Sequence, residues 1–428
     1  MGVVSNVMVG PLGAAALGAV GIANSIFFVV AILGIGTLSV VAPMVANANG
    51  AGDWYRCKQL FRDGVFIGLG TGTGLVLVIG LLANSFGVFR QTAEITVLAR
   101  EYLLISGVSI VPLLVFVAAK QFGDGLSHTR IAMYITLAGL GVNVLSNWLL
   151  IHGHWGFPAL GVRGSALSVL IARVGMAALI LAYVSRAGVF KPYWRALPRP
   201  GQPKHLFSRI IRLGLPSGLQ YFFEIAAFTV AIVVVGWLGK YPLAAHEIAI
   251  SLASITYMMA SGLAAAGSIR VGEATGRGNQ AGVVRAGTVA FALTAFFMAG
   301  CCGLFLIATE PLVRLYIQDP RVTEIAVSLV VIAGFFQLSD GIQVVGLGVL
   351  RGIADVNIPT VITLFAYWII GLPLGYLLAF RFGLNAPGIW IGLSVGLTVS
   401  AVLLTLRFYR LSAPARTRRP RPEKSLTG

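Results

Sequence analysis

Charge is scarce in this chain. Asp, Glu, Lys and Arg together make up 11% of the residues, and only 14 of all residues are acidic. Set against 57% apolar residues and a mean hydropathy of +0.89, that scarcity excludes a soluble globular domain. Cysteine is scarce too: Cys57 lies in a polar link, and Cys301 and Cys302 lie in an apolar run. Their spacing builds neither a metal site nor a disulfide framework, so they read as small apolar filler. Histidine is used sparingly and without a catalytic pattern. His246-Glu247 opens an HExxH motif, but Ile250 stands where the second His is needed. His152-Gly-His154 reads as a solvated external loop rather than a metal site. No GxxxxGK[ST] loop is present, so ATP is not the direct energy source. The short alternating segments of a β-barrel are also missing.

What fills the chain instead is long apolar runs, each near the 20 residues a membrane helix needs. Helical runs are predicted at 14–46, 61–87, 96–122, 129–152, 160–187, 206–239, 243–272, 283–309, 324–350, 356–381 and 386–410, with a stub at 1–10. The start, MGVVSNVMVG, has neither the charged n-region nor the cleavage site of a signal peptide. The fold class is an all-α integral membrane protein. The long polar link at 188–205 divides it into an N-terminal bundle (1–187) and a C-terminal bundle (206–411), and a basic tail (412–428) is expected to be disordered.

The formal charge of +17 is not a nucleic-acid footprint, because Lys and Arg gather in links and in the tail. One set of alternate links holds Arg56, Lys58, Arg62, Lys120, Arg130, Arg186, Lys191, Arg195, Arg199, Lys204, Arg270, Arg277, Arg285 and Arg351, and the tail arginines continue it. The other set holds Arg90, Arg100, Lys240, Arg314, Arg321 and Arg381. The positive-inside bias makes the richer set and the C-terminus cytoplasmic, in a bacterial inner membrane.

The halves repeat. MVGPLGAAALGAVGIANS at 8–25 lies over VVGWLGKYPLAAHEIAIS at 234–251, a shift of 226 positions. The same shift superposes Gly36 on Gly262, Gly50 on Gly276 and Gly52 on Gly278; a shift of 224 puts Gly164 on Gly388. Each half holds an even number of spans, so the repeats run parallel, as in secondary transporters whose site lies between repeats. The counterpart of the helix beginning near Leu206 starts before Met1. About twelve helices are therefore expected, with helix one incomplete, from an upstream start or a truncation.

Two carboxylates lie well inside spans: Glu224, in PSGLQYFFEIAAFTVAIVVVGWLG, and Asp340. An acid at bilayer depth costs roughly 2.5–3.5 kcal/mol on insertion scales, which makes it a functional candidate by default. Two such groups facing one cavity can ligate Na⁺ through oxygens or exchange a proton; the bland alternative is a structural hydrogen bond to a neighbouring helix. Gln220 and Tyr221 share the helical face of Glu224, and Gln337 and Gln343 bracket Asp340. The glutamines either tie helices together or line a cleft. Tyr257, Tyr367 and Trp368 either pack or line a pocket for an aromatic cation. Arg173 is intramembrane, with snorkelling and functional readings both open.

The segments MVGPLG, GIGTLSVVAPMVANANGAGD, PSGLQYFFEIAAFTVAIVVVGWLG, LAAHEIAISLASITYMMASGLAAAGSIRVGEATGRGN and FFQLSDGIQVVGLGVLRGIADVNIP resemble the multidrug and toxic compound extrusion (MATE) family, in its NorM-like branch. The resemblance runs to about residue 410. It implies two six-helix bundles about a central cleft, and export of organic cations in exchange for Na⁺ or H⁺. It also implies cation coupling at Glu224 and Asp340, which would be the Na⁺ ligands in a Na⁺-coupled member. The family's helix-one Asp falls at Ser5, beside Asn6, and Phe336 stands where some Na⁺-coupled members carry Tyr. No cofactor beyond the coupling ion is expected, and the partners are organic cations and membrane lipid, with no nucleic acid and a monomeric state. The rivals are a lipid-linked oligosaccharide flippase of the same superfamily, a transport-impaired paralogue and, weakest, a membrane enzyme, since no nucleophile is arranged with a base.

Overall fold

The computed structural model describes residues 1–85, 92–198 and 206–413. Arg90, Arg199, Lys204 and the tail from 414 lie outside the described residues. The described chain is helical, with no strand. Eleven of its helices are long and apolar enough to cross a membrane. In the first half they are α2 (Ala14–Leu38) continued by α3 (Val41–Gly50), α4 (Trp54–Asn84), α5 (Ala93–Val108) continued by α6 (Ile110–Gly125), α7 (Thr129–His152) and α8 (Gly161–Arg186). An eight-residue helix α1 (Gly2–Val9) precedes them and packs on α2, α7 and α8. In the second half they are α10 (Phe207–Gly236), α11 (Lys240–Gly276), α12 (Gln280–Ile307), α14 (Pro320–Gly352), α15 (the segment Asn357–Arg381) and α16 (Asn385–Ser412). Between them lie the short helices α9 (Lys191–Arg195) and α13 (Thr309–Arg314).

The sequence explains where helices start and bend. Asp53 caps α4 by accepting from the Arg56 amide, and Asn279 caps α12 by accepting from the Gly282 amide. These caps are 226 positions apart, the repeat shift. The break between α2 and α3 falls where Thr37 and Ser39 turn their hydroxyls back onto the carbonyls of Leu33 and Gly36. Within 357–381 the helix widens at Ala366–Gly371, next to Pro373, which has no amide hydrogen to donate. Gly13 and Gly239, repeat mates, both adopt left-handed φ values of 109° and 115° at the entry to α2 and α11, a conformation that favours glycine.

Several sequence expectations are corrected. The run placed at 61–87 starts earlier, at Trp54, because the capped first turns are amphipathic rather than apolar. Lys120 is not in a link but inside α6, paired with Asp124 one turn on at 2.8 Å. Arg351 is in the last turn of α14, not in a link. The described part of the 188–205 link is no free polar strand. Trp194 stacks on Phe122 at 5.9 Å and its indole donates to the Val184 carbonyl, while Tyr193 donates to Asn49. Aromatic residues anchor this link to the first bundle.

Most buried apolar side chains sort by half. One cluster gathers residues of Val9 to Ile210, joined by Val356; two others gather Ala227 to Leu397 and Ala260 to Phe408. The halves meet along two seams, α2 on α10 and α3 on α11. In the first, the Ser39 and Ser217 hydroxyls lie 2.9 Å apart. In the second, backbones touch directly: a side chain on Gly50 would overlap the Glu273 carbonyl, and one on Gly276 would overlap the Asn47 carbonyl. Asn47 and Glu273, like Gly50 and Gly276, are 226 apart, so the two contacts are symmetry mates of one another. Both seams lie at the end of the molecule that carries the 51–53 and 277–279 turns.

Gly276→Leu is expected to force the α3–α11 seam apart, costing about 1–3 kcal/mol as overpacking does. The purified variant should melt several degrees below wild type in detergent, whereas Gly262→Leu, at a position with open space around it, should not. Equal melting of the two variants would contradict the close contact.

Candidate functional site

The polar groups of the second bundle converge on one point. Glu224, midway along α10, and Asp340, on α14, are both buried, at 6% and 3% exposure. They are near enough to interact electrostatically. Most other acids are occupied elsewhere: Asp124 pairs with Lys120, Glu101 with Arg163, Glu273 with Arg270 and Arg277, Glu310 with Arg314 and Asp355 with Arg407, while Asp53 and Asp319 cap helices. Among the described residues, Glu224 and Asp340 form no close ion pair.

The residues predicted from the sequence fall as follows. Gln220, Gln343 and Tyr367 face the Glu224 carboxyl, at contacts looser than a closed hydrogen bond. Tyr257 is half-buried within the field of both carboxylates. Tyr221 lies one turn before Glu224 and takes a hydrogen bond from Arg351. Gln337 is fully buried on the Asp340 face but bonds to neither acid; both its amide atoms, like those of Gln343, have no protein partner. Trp368 is spoken for, since its indole donates to the Phe223 carbonyl. An aromatic wall closes one side: Phe228, a turn beyond Glu224, lies 5.8 Å from Tyr367 and 6.2 Å from Phe336, and Phe336 lies 5.5 Å from Trp390. His246, the start of the failed HExxH motif, accepts from the Trp390 indole at 3.1 Å and belongs to this packing.

Arg351 is the member that sequence reading missed. Its guanidinium donates to the Tyr221 hydroxyl at 3.0 Å and to Gln220 Oε1 at 3.3 Å, and lies 4.9 Å from the centre of the Tyr221 ring. It is the basic group that acts on Glu224. The signal was present: Arg351 follows Asp340 by eleven positions, three helical turns, and so lies on the same face.

Chemically, the cluster offers carboxylate, amide and phenolic oxygens in a water-poor setting. Such donors suit a hard monovalent cation, and when both carboxyls are ionised they outweigh the one guanidinium, a balance that suits an organic cation. Among the described residues no group of three His, Cys, Asp or Glu is disposed to hold a metal ion, so any cation here would need the neutral oxygens as well.

The MatE family model matches residues 1–149 and 216–377. The chain belongs to the MatE family. This is the MATE family, NorM-like branch, that the sequence motifs resemble. A Rhizobium meliloti protein named "Probable multidrug resistance protein NorM" is 37% identical over 415 residues, covering 94% of this chain and 88% of the relative. An Agrobacterium fabrum relative of the same name is 37% identical, covering 95% and 88%. Among solved structures, an outward-facing multidrug resistance MATE transporter superposes with a TM-score of 0.86 at 18% identity, covering 96% of this chain and 91% of that one. The all-helical MATE fold expected from the sequence therefore holds, with eleven membrane-length spans and the short helix α1 among the described residues.

Because Arg351 offsets Glu224, Arg351→Gln is expected to tighten binding of a permanent monovalent cation, such as tetraphenylphosphonium, by roughly 5- to 30-fold, on the order of 1–2 kcal/mol. Glu224→Gln should weaken it at least tenfold. Equilibrium binding to purified protein checks both; weaker binding in Arg351→Gln would show that the guanidinium supports the cation rather than opposing it.

Proposed function

We propose that this chain is a secondary antiporter that exports organic cations across the bacterial inner membrane in exchange for Na⁺ or H⁺. The observation that carries this reading is the buried Glu224–Asp340 pair, two acids at membrane depth that lack a close ion pair and are ringed by neutral oxygens. The multidrug-resistance names of the relatives support the export direction and the broad cargo. With the positive-inside orientation, the seams between bundles lie on the cytoplasmic side. The protein works as a monomer with its C-terminus cytoplasmic.

In this cycle the coupling ion enters from outside and binds at Glu224 and Asp340. Gln220, Gln343 and Tyr367 complete its oxygen shell or hold the protonated carboxyls. Neutralising the pair removes the attraction for a cationic cargo, so cargo leaves outward. The neutralised pair also tolerates a drier environment, and this favours rocking of the bundles to the inward-open state. Inside, the ion dissociates and cargo rebinds to the restored charge. Tyr221, Tyr257 and the Phe228–Phe336 wall supply aromatic faces for the cargo. Gln337, on the Asp340 face, keeps both amide atoms free for the ion or cargo.

Everted vesicles given Na⁺ and pH gradients separately, with ethidium as cargo, test the reading. Transport should follow one of the two gradients in the wild type. It should fall to less than a tenth in Glu224→Gln and Asp340→Asn at equal expression. Gradient-driven transport at wild-type rate in either variant would overturn the assignment of the site.

A further inference from the structure

The first bundle has its own buried polar cluster, of opposite sign. Arg173 lies at the centre of α8, twelve residues from one end and thirteen from the other, so roughly 18 Å of helix separates it from either boundary. Its side chain is too short to snorkel that far. The guanidinium lies 4.3 Å from the centre of the Phe27 ring and donates to the Ser109 hydroxyl at 2.6 Å. Beside it stands the Tyr102 hydroxyl, which donates to Asn24. Among the described residues no carboxylate pairs with Arg173. The first-half acids are all elsewhere: Asp53 at a helix cap, Asp63 accepting from the Leu206 amide, Glu94 exposed, Glu101 on Arg163 and Asp124 on Lys120.

The surroundings add polar groups whose hydrogen bonding is incomplete. Ser5 and Ser165 are fully buried and face the Tyr102 hydroxyl, at contacts looser than a closed hydrogen bond. Asn143, on α7, is also fully buried, with both amide atoms unpartnered. The antiparallel register of α7 on α8 is set by Gly139 against Met176 and Gly164 against Leu150. That register puts Asn143 level with Ile171–Ala172, next to Arg173 along α8. The guanidinium lies at bilayer depth with the Met1 amine in its field, polar groups of incomplete bonding nearby and no carboxylate on it, so the component the cluster lacks is negative charge.

We infer that the first bundle binds a small monovalent anion, a halide or a carboxylate group, at Arg173, with Ser5, Ser165 and Asn143 as neutral donors. A guanidinium edge with adjoining hydroxyls suits a single-charged anion of this size. The site stands apart from Glu224 and Asp340 and does not depend on what those residues carry.

The test is thermal stability of the full chain, purified in detergent and titrated with chloride or acetate at constant ionic strength against bulky gluconate. A saturable rise in melting temperature is expected in the wild type. The half-saturating concentration should rise at least tenfold in Arg173→Gln and severalfold in Asn143→Leu. Saturation by chloride alone would identify a free halide; saturation by acetate would identify a carboxylate, such as one borne by a transported molecule. Gel filtration checks that the variants are folded, and Asn143→Leu with Ser165→Ala decides the matter if Arg173→Gln does not fold. Non-saturating slopes, or slopes equal in wild type and variants, would overturn the site.

Discussion

Charge buried at bilayer depth is the constraint around which this protein is organised. Each such group is worth several kcal/mol of unfavourable transfer unless something answers it. Most of the acids avoid the problem by lying at helix ends, where an arginine, a lysine or an amide meets them. Glu224 and Asp340 do not. They lie in one another's electrostatic field, with Arg351 as the cation acting on Glu224 and with amide and phenol groups whose bonding is incomplete. A purely structural pair would be expected to close those bonds, since half-satisfied polar networks are worse than apolar packing. Incomplete satisfaction is what a site needs if its missing partner comes and goes.

The backbone contacts between the halves supply the mechanical counterpart. Gly50 on Glu273 and Gly276 on Asn47 form a reciprocal pair, and no side chain fits at either glycine. The seams combine backbone contact and one pair of serine hydroxyls with a small apolar cluster of Ala42, Ala46 and Ile269. Most buried apolar side chains stay within one half, in three larger clusters. Motion of the halves as bodies would leave most of that packing intact.

Much of this was legible in the sequence because membranes restrict the options. Apolar run length specified the helices, and repeat spacing paired Gly13 with Gly239 and Gly52 with Gly278 before geometry did. Intramembrane acids were conspicuous by rarity. What was harder to read lay at helix ends, where charge patterning is ambiguous. Arg351 looked like a topology residue because it borders a link, yet its long side chain turns back along α14 to Tyr221 and Gln220. Lys120 was misplaced for the same reason, and the 188–205 link hid its Trp194 anchor behind polar composition. Arg173 could be located but not interpreted, since its neighbours come from α1, α2, α5, α6 and α7 and no single stretch of sequence shows them together.

The dependence of the seam on the carboxylate pair is most directly measured by disulfide formation in a Ser39→Cys/Ser217→Cys protein, with Ser39→Cys alone as control. The two hydroxyls are 2.9 Å apart in the closed seam, within reach of a disulfide. If neutralising Glu224 and Asp340 releases the seam, saturating coupling ion should slow cross-linking several-fold in otherwise wild-type protein. With Glu224→Gln and Asp340→Asn added, cross-linking should be slow whether or not the ion is present. Cross-linking at one fast rate in every case would contradict the link between charge at the pair and closure of the bundles.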